Sequence, residues 1–248
     1  MARNAATHIR IGLALTGAAF LLPQSASAVP FTVDLGTAGS FAILAGSEIT
    51  DAGGASTIVR GDVGLSPATG ASIGLTAGQV LNGTIYSVDA AGPAGSEINP
   101  ALLTTAKNDL TTAYNDAAGR SFDEDFGVVD NQLGGKTLIP GVYRFGGAAT
   151  ANLIGNLTLD SNGEVDPVWI FQASSTLITA SNSSITLIGA TSCDVFWQVG
   201  SSATIGTDTR FIGNILADQS IALQTGATLE GSALARIAAV TFGSQYHY

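Results

Sequence analysis

The sequence predicts a mainly β chain, a β-solenoid interrupted by one long α-helix, on three observations. Its last third repeats a set of three short β-prone segments. From Val168 these read VWIFQ, STLITA and SSITLIG, then VFWQV, SATIG and TRFIG, then NILA, SIALQT and ATLEG. Each round takes roughly 18 to 27 residues, a period that marks coils unable to bury an apolar face alone and therefore stacked. One stretch departs from this rhythm and carries a helical stripe instead. Finally, only 11% of residues are charged, well under the usual quarter, while 46% are hydrophobic and 31 are Gly. Low charge with many small residues can signal disorder, but the dense β-branched runs oppose it.

Residues 1–28 read as a secretory signal peptide outside the fold. Arg3 and Arg10 supply the positive start, residues 11–22 an apolar run, and Ala26-Ser27-Ala28 the small-residue cleavage site. The run is too short for a membrane span, and no later segment is longer and equally apolar, so the expectation is an exported soluble chain. Residues 29–248 then form one domain. Losing Arg3 and Arg10 takes the formal charge from −10 to −12. Such an acidic surface excludes nucleic acid and anionic membranes as partners. Cys193 is the single cysteine, so stability rests on the core and the backbone ladders without an intramolecular disulfide.

Along the domain, residues 41–45, 47–50 and 57–64 form a first three-strand coil. Ser66-Pro67 and Gly70 mark a turn, and residues 79–86 another strand. Asn99-Pro100 is an N-cap followed by proline at the first helical position. Leu103, Ala106, Leu110, Ala113, Tyr114 and Ala117 then recur at three- and four-residue steps, which predicts a helix over 100–118 that stops at Gly119. A single apolar stripe lays this helix against one side of the solenoid and leaves the other sides free. Residues 121–135 read as a loop carrying Asp123, Glu124 and Asp125, and coils follow to the end. Asn-Gly hairpin signals are too few for a sandwich of antiparallel strands.

The catalytic inventory is thin. H-x-x-x-H, C-x-x-C, G-x-S-x-G and phosphate-loop patterns are absent. No cofactor or metal ligand set can be built from the histidines and the one cysteine. A polysaccharide-cleaving solenoid would need facing carboxylates, and the cluster Asp123, Glu124, Asp125 is the best candidate for that; it reads instead as a solvated acidic loop.

What remains is the surface. Alternation along each middle strand turns Thr50, Thr150, Asn152, Thr176, Ile178, Thr204, Gly206, Ala222 and Gln224 outward. An uncharged stripe on an acidic chain points to an uncharged, extended, regular partner. Tight coils also favour small residues and Thr for their own reasons.

Leu35-Gly-Thr-Ala-Gly-Ser-Phe-Ala-Ile-Leu-Ala45, Gly61-Asp-Val-Gly-Leu-Ser-Pro67, Gly134-Gly-Lys-Thr-Leu-Ile-Pro-Gly-Val-Tyr143, Val168-Trp-Ile-Phe-Gln172, Val195-Phe-Trp-Gln-Val199, Gly213-Asn-Ile-Leu-Ala217 and Gly226-Ala-Thr-Leu-Glu-Gly-Ser-Ala-Leu-Ala235 follow one another in an order that resembles the microbial, antifreeze-type ice-binding protein family (the domain of unknown function 3494 type). The resemblance covers nearly the whole domain. It implies a discontinuous β-solenoid of triangular cross-section with one long helix alongside, and adsorption to ice through one flat face. Thr179-Ala-Ser-Asn182 and Thr225-Gly-Ala-Thr228 look like a T-A/G-x-T/N pattern that some members carry near that face. Thr207-Asp-Thr209 and Asp51-Ala-Gly-Gly-Ala depart from it. The short stretch between Pro67 and Gln79 resembles members without a capping subdomain. The expectation is a secreted, monomeric, non-enzymatic ice binder without cofactor; the alternative is a carbohydrate- or surface-binding adhesin module.

Overall fold

A computed structural model of the chain describes residues 30–54, 57–127, 131–147 and 149–243. The signal-peptide expectation for residues 1–28 lies outside the described residues. The repeat is a three-sided β-solenoid in which every strand pairing is parallel. One coil runs Trp169–Ala173, Leu177–Thr179, Ser184–Ile188, and the next runs Val195–Val199, Ala203–Ile205, Arg210–Ile212. Corresponding strands stack into a ten-stranded sheet, a six-stranded middle sheet and a five-stranded third sheet. Glycine makes the sharp corner between third and first strands. Gly213 has φ +115°, and a Cβ there would meet Trp197 Nε1 at 2.7 Å.

The stacking order is not the chain order. Phe41–Ala45 pairs on one side with Asp62–Leu65 and on the other with Ala233–Ala235, Ile43 lying opposite Ala233. In the middle sheet Ile49–Asp51 lies beside Val240–Phe242. The first coil therefore sits on the last one. Residues 62–98 continue the stack beyond it, and the helix carries the chain back to the far end, where the remaining coils begin.

Inside the triangle, inward side chains stack from coil to coil. Phe126, Tyr143, Phe171, Trp197 and Phe211 form a ring ladder with centroids 5.6, 5.5, 3.9 and 5.0 Å apart. Each such pair adds about 0.5–1.5 kcal/mol beyond the area it buries.

The helix spans Pro100–Gly119, one residue past its expected end. Asn99 Oδ1 accepts the Leu102 N–H at 3.1 Å, and the Gln172 amide at the other end donates to the Ala117 and Arg120 carbonyls at 2.8 Å each. Leu103, Ala106, Leu110, Ala113 and Ala117 are buried against Leu44, Ile170, Phe196, Leu216 and Leu234 of the ten-stranded sheet. Full burial of Leu103 and of Leu110 stabilises the docked helix by about 1.5–3 kcal/mol each. The helix thus covers one side of the triangle, as its single stripe predicts, and leaves the middle and third sheets open.

Residues 121–135 differ from the expected loop. Glu124–Asp125 is a short edge strand beside Tyr143 and Arg144, and Gln132 bridges to Asn152. With Thr137–Leu138 they trace a partial coil that caps the stack. The acidic strand holds because Asp125 accepts from Arg144 Nε at 2.9 Å and from the Gly146 N–H at 3.1 Å, while Asp123 accepts the Val142 N–H at 2.8 Å.

Candidate binding face

The middle sheet presents three columns of outward positions, with rungs roughly 4.8 Å apart along the axis and columns roughly 6.7 Å apart across it. The central column reads Gln132, Asn152, Ile178, Thr204, Ala222, Thr241 and Thr50 from the capped end. On one flank Thr150, Thr176, Ser202, Ser220, Ala239 and Glu48 follow the same stacking, each from Thr176 onward accepting a backbone N–H from the coil before it. On the other flank stand Ile154, Ala180, Gly206, Gln224, Gly243 and Ala52.

Hydroxyls on neighbouring rungs hold one another. Thr150 and Thr176 share a hydrogen bond of 2.9 Å, and so do Ser202 and Ser220. Their mutual bonding fixes side-chain rotamers before any partner arrives. Ile178 is 43% exposed and Ile154 63% exposed, so the face also carries bare aliphatic surface.

Glu48 is the one charged residue in these columns among the described residues. The third sheet contrasts with it, because its outward register includes Asp160, Arg210 and Glu230. The ten-stranded sheet lies under the helix. Of the three sides, the middle one alone is both open and nearly free of charge.

The expected residues divide cleanly. Thr50, Asn152, Ile178, Thr204 and Ala222 occupy the central column, Thr150 and Thr176 one flank, and Gln224 the other. Gly206 is on the flank but buried, its N–H donating to Thr179 Oγ1 at 2.7 Å. Thr179 itself is a correction: at 3% exposure it points into the core, not outward. It occupies the inward register of Leu153, and its hydroxyl is satisfied there by donating to Thr209 Oγ1 at 3.3 Å. Asn182 is a turn former. It has φ +59° three residues after its middle strand, where the next coils place Asp208 at +55° and Gly226 at +69°. Thr225 sits half-buried in the same corner, and Thr228 opens the third sheet opposite Arg210. The T-A/G-x-T/N pattern therefore builds the edge of the face. Thr241, Ser202 and Ser220 were missed, although the alternation Val240-Thr241-Phe242 carries the signal for the first of them.

Among the described residues no other cluster rivals this surface. Asp123 and Asp125 are engaged in holding the capping strand. The hydrogen bond from Arg144 and the backbone amides of Gly146 and Gly127 hold the Asp125 carboxyl below the usual carboxylate range. Among the described residues no group of three His, Cys, Asp or Glu side chains could hold a metal, and no helix is long and apolar enough to cross a membrane. Cys193 is exposed.

Comparison with known proteins adds a second line. The family described as ice-binding-like matches residues 43–246. An ice-binding protein of Flavobacterium frigoris (strain PS1) is 41% identical over 207 residues, covering 83% of this chain and 72% of the relative. One from Colwellia sp. is 41% identical over 214 residues, 86% of this chain and 82% of the relative. Among solved structures, an ice binding protein from an Antarctic biological consortium superposes with a TM-score of 0.76 at 39% identity, over 89% of this chain and 92% of that one. The ice-binding protein of the Antarctic ascomycete Antarctomyces psychrotrophicus gives 0.72 at 35% identity, over 87% and 97%.

Proposed function

Because the chain belongs to the ice-binding-like family, we propose that it adsorbs to ice crystals through its middle sheet, inhibiting their growth and recrystallisation. The observation that carries this is the column Asn152, Ile178, Thr204, Ala222, Thr241, Thr50, straight, open and without charge on a chain of formal charge −10. Parallel stacking repeats those side chains at a fixed spacing. Threonine hydroxyls hydrogen-bond surface water while their methyls, with Ile178 and Ala222, leave neighbouring water to order itself around apolar ground. A carboxylate or ammonium would hold its own tight hydration shell instead. Each contact is weak. A rigid array adds them without an ordering cost at each side chain, which a mobile surface would incur.

Export after cleavage at Ala28 and action as a monomer belong to the same reading, since ice is met outside the cell and one flat face suffices to bind it. No catalytic role is assigned, because the acidic trio serves the capping strand. The adhesin alternative draws no support from the comparisons, whose relatives carry ice-binding names.

Thr204→Tyr places a ring on the centre of the face and leaves the core alone. Measured by nanolitre osmometry, it should abolish thermal hysteresis and ice-crystal shaping with the unfolding transition unchanged. Full hysteresis in both Thr204→Tyr and Ala222→Tyr would reject the middle sheet as the binding face.

A further inference from the structure

One carboxylate breaks the uncharged ground of the middle sheet. In the flank that runs from Thr150 to Glu48, every position before Glu48 carries a hydroxyl or a bare methyl. The stack does not end at Glu48. Ile73 bridges Ile49 in parallel, and the Gly74 N–H donates to the Ile49 carbonyl at 2.7 Å. That register sets Gly74 beside Thr50 and Ser72 beside Glu48. Gly74 is exposed and Ser72 half-buried. Glu48 therefore stands between small uncharged neighbours, Ala239 on one side and Ser72 on the other.

Nothing in the fold requires its charge. The Glu48 carbonyl accepts the Val240 N–H at 3.0 Å, a bond that any residue would make. Its side chain is exposed and has no hydrogen-bond or ion-pair partner among the described residues. Neighbouring carboxylates are occupied. Asp51, in the inward register of Phe242, accepts from Thr57 Oγ1 and Gln79 Nε2, both at 2.6 Å. Asp218, in the corner before Ser220, holds Arg236 at 2.6 Å. Only Glu48 aims a bare charge outward from the sheet.

Covering an unpaired carboxylate costs far more than covering a hydroxyl, because its hydration shell must be stripped or rearranged. Ice lying flat over Thr50 has to do this. By sheet geometry the Glu48 position is roughly 6.7 Å from that of Thr50 and roughly 8 Å, on the diagonal, from those of Thr241 and Gly74. Screening at physiological ionic strength acts over about 8 Å, so the charge is felt on both rungs. The opposite end of the face has no such obstacle. There Gln132 Oε1 accepts the Gly134 and Ile154 N–H groups at 2.8 and 2.9 Å, which turns its polar atom back onto the backbone.

We propose, on the reading that the middle sheet adsorbs to ice, that Glu48 sets the length of the ice-contacting surface by holding ice off the Thr241 and Thr50 rungs. The working face is then the stretch from Gln132 to Ala222, and one side chain decides where it stops.

Nanolitre osmometry on Glu48→Ser, Glu48→Gln and Glu48→Lys at equal concentration tests this, with urea unfolding to confirm that each variant is folded. Ser and Gln should both raise hysteresis about 1.4-fold, as the rigid array lengthens from five central positions to seven. Lys should give no gain, since an ammonium keeps its own shell. Thr50→Tyr added to Glu48→Ser should cancel the gain. Full hysteresis in Thr204→Tyr and Ala222→Tyr rejects the middle sheet and the role of Glu48 with it. Loss of hysteresis in those two, with no gain in Glu48→Ser and Glu48→Gln, overturns the role of Glu48 alone. So does a gain in Ser without one in Gln, which makes bulk the determinant, or a gain in Lys equal to that in Ser.

Discussion

Thr176 and Thr179, three residues apart on one coil, turn their hydroxyls to opposite sides of the middle sheet. Thr176 meets Thr150 on the outer surface at 2.9 Å, while Thr179 accepts the Gly206 N–H at 2.7 Å and donates inward to Thr209, which in turn donates to the Ala180 carbonyl at 2.9 Å. One threonine belongs to the surface, the other to the wiring between two coils. That separates binding from stability within a single turn.

Valine substitution at the two positions should therefore give opposite results. Thr176→Val keeps the methyl and the shape, so stability should change by less than about 1 kcal/mol while hysteresis falls. Thr179→Val leaves the buried Gly206 N–H without an acceptor and should cost about 1–3 kcal/mol, with hysteresis of the folded protein retained. Urea unfolding and osmometry on the pair check this. A Thr179→Val protein with full stability and no hysteresis would return Thr179 to the face.

At the corner, Asn182 is held at φ +59° and exposed. Asn182→Ala should cost about 1 kcal/mol, and Asn182→Gly should be neutral or stabilising, because the cost arises from a Cβ in left-handed backbone. Neither should reduce ice adsorption. Thermal unfolding of both variants measures it; equal melting temperatures for Ala and Gly would remove the backbone explanation.

Lys107 gives the chain a pH dependence. Its Nζ donates to the Ala235 and Arg236 carbonyls at 2.8 and 2.6 Å, and burial, with the nearby Arg236 charge, brings its pKa down from 10.5 to about 8. Above pH 8 the folded chain has shed a proton that the unfolded chain keeps until about pH 10.5, so stability rises with pH across that window. Near pH 10 the effect reverses in part, since burial raises the Tyr143 and Tyr114 hydroxyls and the unfolded chain loses those protons first. Urea unfolding at about pH 8 and pH 9.5 should show a gain on the order of 1 kcal/mol, absent in Lys107→Met. An unchanged slope in the variant would assign the dependence elsewhere.

The helix was legible because Asn99, Pro100 and the Leu103-to-Ala117 stripe are local signals. The outward side of each middle strand was equally legible, since alternation needs only the strand itself. Thr179 was misread because a hydroxyl can face inward when a neighbouring coil brings Thr209 to it, and that neighbour is invisible along the chain. The capping strand Glu124–Asp125 was read as loop for a related reason: its hold comes from Arg144 and from the Gly146 and Val142 amides, not from apolar alternation. The stacking of Phe41–Ala45 on Ala233–Ala235 leaves no mark in either segment's own residues, and the resemblance alone anticipated a discontinuous solenoid.

That stacking also sets a schedule. Ile43 is among the first residues of the domain to be made, yet its strand lies between one soon available and one that arrives almost last. Sequence-distant parallel pairing of this kind is slow, because the intervening chain must close before the contact rewards it. Until Ala233 and Val240 emerge, Phe41–Ala45 and Ile49–Asp51 each present a bare apolar edge, the template on which growing chains misassociate. Refolding yield should consequently fall with concentration far more steeply than for a solenoid wound in chain order, and a carrier that shields those two strands until synthesis finishes would raise it.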